Sequence, residues 1–185
     1  MNAILVLWLP ILLSAVLVFI ASSLIHMVFK WHNSDYRGLP NEDAVRAALR
    51  AGTNPPGQYV LPYCGDMKAM ATDDMQQKYR EGPVGLLTLQ ANGPFNMGGA
   101  LVRWFLFNVL IAAIAAVVAV QVLGIAGSAN RAAHLIGMLS FLSYSGGSVQ
   151  AAIWMGKPWS VVAKDLLDGL IYGTITALTF QALWP

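Results

Sequence analysis

Few side chains in this sequence are equipped for chemistry, and most of them fall into four groups. Cys64, Met67, Met70 and Met75 form the pattern C-x2-M-x2-M-x4-M. Thiolate and thioether sulfurs are soft donors that suit Cu(I). Methionine also packs adaptably against helices and lipid, and Asp66, Lys68, Asp73 and Asp74 dilute the soft cluster. Packing is the stronger reading, and no cofactor is expected beyond this copper alternative. His26 and His32 are six residues apart. Six residues of continuous helix turn the chain by about 600°, so the two rings would leave the helix on different faces. No helical metal pair is expected. Imidazoles bonded to backbone or to a carboxylate near an interface fit better.

The third group is charged. His26, Arg103, Asp165 and Asp168 stand near the ends of long apolar runs. Ionisable groups at membrane depth are expensive and usually face the interior of a bundle. Arg103 is about six residues, or about 9 Å, into its run, and Asp168 is at a similar depth in another. The spacing predicts a structural ion pair of Arg103 with Asp168, or with Asp165, that fixes helix register. Proton or ion handling is the alternative. The fourth group is hydroxylic: Ser140, Tyr144 and Ser148 on one run, facing Tyr172, Thr176 and Thr179 on the next. These groups would line a wet cavity, or more commonly bond across helices and back to their own carbonyls. There is no nucleophile elbow, P-loop, dinucleotide fingerprint, H-E-x-x-H or cysteine-rich zinc spacing. Gly98-Gly99 at a helix start is a weak anion hint. No catalytic residue is expected, and the chain reads as a non-enzyme.

Four apolar helices must position these groups. Of the 185 residues, 57% are hydrophobic and 11% are charged, against about 25% charged in soluble domains. Met97–Leu123 carries one charge, Arg103, and about 20 apolar helical residues cross a hydrocarbon core. The others are the run up to Phe29, read as a retained anchor helix from about Asn2, then 132–155 and 160–183. The predicted class is an all-α integral membrane protein with a long segment between the first two helices. A net charge of +2 with no basic stripe gives no footprint for nucleic acid. The single cysteine excludes an internal disulfide.

On the first helix Ser14, Val18, Ser22 and His26 share a face, and Pro10 removes one helix hydrogen bond. Ser143, Gly147 and Ala151 on the third helix form a small-residue face, as do Gly169, Gly173 and Ala177 on the fourth. Such faces let helices approach closely. One should serve the hairpin and one another subunit, so a homo-oligomer or a membrane-protein partner is expected in the bilayer. Lys30–Asn96 holds seven of the eleven basic and seven of the nine acidic residues. It should contain helices at 42–51 and 73–81, the first capped by Asn41, and strands near 58–63 and 84–90. Lysine and arginine concentrate in this segment and at Lys157 and Lys164. The positive-inside rule therefore places the segment in the cytoplasm, with both termini outside. Under that topology His134 lies across the membrane from the other histidines, which counts against a three-histidine site.

The stretches HMVFKWHNSDYRGLPNEDAVRAALR, GPVGLLTLQANGP and DGLIYGTITALTFQALWP resemble a group of small, uncharacterised bacterial four-helix inner-membrane proteins. The resemblance runs from Leu24 to Pro185. It implies a bacterial inner-membrane location and four helices, and it transfers no activity and no site residues. Two functions are expected: a scaffold or accessory subunit first, and a small homo-oligomeric channel or transporter lined by the third and fourth helices second.

Overall fold

The computed structural model describes residues 3–185, so the expected helix start at Asn2 lies outside the described residues. The chain divides into two units. One is a helical bundle containing the residues up to Tyr36 and Asn96–Pro185, and the other is Arg37–Phe95.

The bundle opens with a short α1 (Ala3–Val6) and a longer α2 (Trp8–Ser23). Pro10 has no N–H to give to the Val6 carbonyl, and the α-helix breaks at Leu7. After Ser23 the chain widens into a π-helical turn, Leu24–Phe29. It passes through Lys30 in the left-handed conformation (φ 56°, ψ 24°) and tightens into a 3₁₀ turn, Trp31–Asp35. Asn96 caps the start of α5 (Met97–Leu123), accepting a hydrogen bond from the Gly99 N–H at 2.8 Å. The bundle is completed by α6 (Ala129–Met155) and α7 (Trp159–Leu183), which a three-residue turn connects. Among the described residues, three segments are long and apolar enough to cross a membrane: Trp8–Phe29, Met97–Leu123 and Trp159–Leu183. The helix α6 is as long as α5 but falls short of that apolarity, its middle being rich in serine.

The core at one end of the bundle is apolar. Leu7, Ile11, Ala112, Ala115, Ala116, Ala119, Ile136 and Phe180 are buried together there. Ser14, Val18 and Ser22 are buried along α2. The tightest approach is between α6 and α7. A Cβ added at Gly169 would stand 2.6 Å from the Ser145 Cβ, and one at Gly173 would stand 2.9 Å from the Gly137 carbonyl oxygen. A Cβ at Gly137 would lie 2.9 Å from that of Ala177. Gly169, Gly173 and Ala177 thus form one side of the seam. Its other side is Gly137, Phe141 and Ser145, and the Ser143, Gly147 and Ala151 face stands outside this contact. Ser143 and Gly147 are exposed, no atom would meet a Cβ at Gly147, and Ala151 is half-buried. The face that packs on α6 is offset by two residues, about 200° around the helix, from the one with the most small residues.

The second unit comprises α3 (Glu42–Ala51), β1 (Gly57–Leu61), α4 (Asp73–Glu81) and β2 (Gly85–Leu89). The strands pair antiparallel with Tyr59 opposite Leu87, and β1 stops immediately before Pro62. The Asn41 side chain makes no capping bond to α3. The four sulfurs of the copper alternative stand in different surroundings. The Cys64 thiol donates to the Asp66 carbonyl, Met67 is 83% exposed, Met70 is also exposed, and Met75 is buried.

Candidate functional site

Where α2 ends and α7 begins, the bundle carries a polar cluster. The π turn and the left-handed Lys30 reverse what a continuous helix would do with His26 and His32. Their rings are stacked, 4.7 Å between centroids and 4° from parallel. The expectation that the two point apart is therefore corrected: the helical geometry it assumed ends between them. The His26 Nδ1–H donates to the Ser22 carbonyl at 2.9 Å. His32 Nδ1 lies 2.7 Å from Asp35 Oδ2, and His32 Nε2 lies 2.9 Å from Asp168 Oδ2. His26 Nε2 stands 4.0 Å from the same Asp168 oxygen. Asp168 is 5% exposed, and its Oδ1 has no hydrogen-bond partner. Donor atoms of His26, His32 and Asp168 all lie within 4.8 Å of one another, the one such group among the described residues.

Lysines bind this cluster to α7. The Lys164 ammonium donates to the Trp31 carbonyl at 2.7 Å, to Ser34 Oγ at 2.8 Å and to Asp35 Oδ1. The Lys164 hydrogen bond, and secondarily the one from His32, holds the Asp35 carboxyl below the ordinary carboxylate range. Asp165 accepts from Lys157 and from the Ser148 hydroxyl. The expected partner of these carboxylates does not reach them. Arg103 is exposed and forms no ion pair among the described residues. The next residue, about 100° around α5, is the one that turns inward: the Trp104 indole N–H donates to Ser22 Oγ at 2.9 Å. The ion-pair expectation is thus corrected for Arg103, while His26 does stand beside Asp168.

The cluster opens on a cavity of about 710 Å³ whose walls come from all four long helices, among them Ser22, His26, Trp104, Tyr144, Asp165 and Tyr172. The hydroxyl group expected to line a cavity divides. Tyr144, Ser148 and Tyr172 line it. Thr176 and Thr179 instead donate back to the carbonyls of Tyr172 and Ile175, and Ser140 is fully buried with no partner. In the apolar interior the nearest acceptor for a threonine hydroxyl is its own helix. Asn108 is also fully buried, with neither amide atom hydrogen-bonded. It drew no notice in the sequence, though it is the one amide among the apolar residues of mid-α5.

The indole bond supplies a small, measurable contribution. Trp104→Phe keeps the aromatic packing against Tyr144 and Tyr172 and removes the donor. It is expected to lower stability by about 1 kcal/mol, read from the unfolding midpoint in detergent. An unchanged midpoint would show the bond to be idle.

No protein-family model, curated protein or solved structure matches the chain.

Proposed function

We propose that the protein is a non-enzymatic, four-span membrane protein that serves as an accessory or scaffold subunit and holds a ligand in a pocket open at one end of its bundle. The observation that carries this reading is the one-sidedness of the interior. The cavity is polar where His26, Asp165 and Asp168 line it, whereas the opposite end is filled by Leu7, Ile11, Ile136, Phe180 and a group of alanines. A path for ions across a single chain needs polar lining or water along its whole length, and the alanine-packed end offers neither. Counting α6 as a fourth span rests on its length, which equals that of α5 at 27 residues, and on its burial of serines against α7, where a polar side chain avoids lipid.

A second reading, a homo-oligomeric channel lined by α6 and α7, is favoured by the exposed Ser143 and Gly147, which α7 leaves uncovered. The native mass in nanodiscs and an ion-flux assay separate the two. A small assembly without flux supports the accessory subunit, and flux that scales with an oligomer overturns it.

The proposed setting is a bacterial inner membrane with the 30–96 segment in the cytoplasm and both termini in the periplasm. Lys157 and Lys164 stand at the same end of the bundle as His26 and His32, so the basic residues after α2 and before α7 point to one side. An impermeant thiol reagent on intact cells is expected to spare Cys64 and to modify a Ser128→Cys protein carrying Cys64→Ala. The reverse pattern would invert the orientation.

A further inference from the structure

We propose that His26, His32 and Asp168 form a binding site for a divalent first-row transition metal ion of borderline softness, zinc being the representative case, in the wall of the bundle cavity. The inference goes beyond the accessory-subunit reading and holds whichever way the bundle is used.

The donor set is the first argument. Two imidazole nitrogens and a carboxylate suit Zn²⁺, Fe²⁺, Co²⁺ or Ni²⁺, and lack the thiolates that draw Cu(I). Catalytic zinc sites commonly use three protein ligands and leave a position open. The open position here faces the cavity, which His26 and Asp168 both line.

Geometry is the second argument. Ligands 2.0–2.1 Å from a tetrahedral ion stand roughly 3.4 Å apart. The distances from Asp168 Oδ2 to the Nε2 atoms of His32 and His26 are 2.9 and 4.0 Å, which bracket that value. His26 is the half-exposed member, at 51%, so its ring has room to close the longer gap.

The strongest argument lies one layer out. A histidine that binds a metal almost always gives its other ring N–H to a backbone carbonyl or a carboxylate, which fixes the tautomer and aims the free nitrogen. Both histidines do this: His26 Nδ1 on the Ser22 carbonyl, and His32 Nδ1 on Asp35. Asp35 is itself held by Lys164. Both Nε2 atoms are thereby directed toward one carboxylate. That carboxylate is buried and its second oxygen is unpartnered, an expensive condition that a bound cation relieves. A structural hydrogen bond between His32 and Asp168 would need neither the second histidine nor the orphan oxygen.

The test uses the full-length, tag-free protein in nanodiscs, stripped with chelator and titrated with Zn²⁺ by calorimetry and with Co²⁺ by visible absorption. One ion per chain is expected, with cobalt bands of a four- or five-coordinate nitrogen–oxygen site that Zn²⁺ displaces. His32→Gln and His26→Gln should each weaken Zn²⁺ binding by about tenfold or more, and Asp35→Asn by about 10–100-fold. His134→Gln should leave it unchanged. His26→Gln keeps the His32–Asp168 bond, so it remains informative if His32→Gln compromises folding, which circular dichroism reports. The proposal is overturned by failure of the folded, unaltered protein to take up one equivalent, or by unchanged affinity in folded His26→Gln.

Discussion

Gly173→Leu is expected to destabilise the bundle by about 1–3 kcal/mol, the range for overpacking a well-filled interior. The upper end applies because the first atoms a side chain would meet are backbone. A Cβ alone would lie 2.9 Å from the Gly137 carbonyl oxygen and 3.1 Å from the Phe141 nitrogen. Neither can rotate aside, so α6 and α7 must separate along the whole seam, from Gly169 against Ser145 to Ala177 against Gly137. Apolar lipid supplies little hydrophobic force to draw the two helices back, and close packing is what holds them. Unfolding in mixed micelles titrated with denaturing detergent measures the loss. Gly147→Ala is the internal control. Its Cβ meets nothing, and replacing a helical glycine on an open face should stabilise by up to about 1 kcal/mol. Equal effects from the two substitutions would mean that the seam lies elsewhere.

The second large effect belongs to the His32–Asp168 pair. His32→Ala leaves a carboxylate that is 5% exposed with only a distant His26 at 4.0 Å. Stranding a buried charge costs about 3–5 kcal/mol, more than the intact pair contributes. Asp168→Ala releases His32, which keeps Asp35, so it should cost less. The double variant should cost less than the sum, because it no longer contains the stranded charge. Arg103→Ala, at an exposed position without an ion pair among the described residues, should stay within about 0.5 kcal/mol of neutral. Additivity in the His32/Asp168 cycle, or a large Arg103 effect, would contradict the pairing described here.

These two predictions mark where the sequence was legible and where it was not. The helices at 97–123 and 160–183 are readable because long apolar runs between glycine or proline breaks leave no alternative. Gly169, Gly173 and Ala177 are readable as a seam because four-residue spacing places them on one face. What they pack against is not readable, since both sides of α6 carry small residues and only the rotation of the helix chooses between them. The site was hidden for a sharper reason. Asp168 and His26 are conspicuous as charges in apolar surroundings, but pairing Asp168 with Arg103 matched depths and ignored azimuth, and one residue along α5 is about 100°. His32 is separated from His26 only when helical angles are applied across a stretch that is not one α-helix. A π turn followed by a left-handed lysine has no signature in residue type, because Lys30 is not a residue that prefers positive φ.

The indole of Trp104 has a mechanical consequence. It makes the one side-chain hydrogen bond from α5 to another long helix among the described residues. The ends of α2 and α7 are riveted by charges through Lys164, Asp35, His32 and Asp168. The helix α5 otherwise meets its neighbours through packing: alanines at 112, 115, 116 and 119 at the apolar end, and, nearer the cluster, Phe105 edge-on to Phe19 and Phe107 edge-on to Tyr144. Translating α5 along its axis sacrifices that hydrogen bond, about 1 kcal/mol, together with the ring contacts of Phe105 and Phe107, worth about 0.5–1.5 kcal/mol each. Separating α2 from α7 would expose buried charge. The two ends of α2 and α7 are thus tied by charge, whereas α5 is held by packing and by the one bond of Trp104, whose ring also lines the cavity.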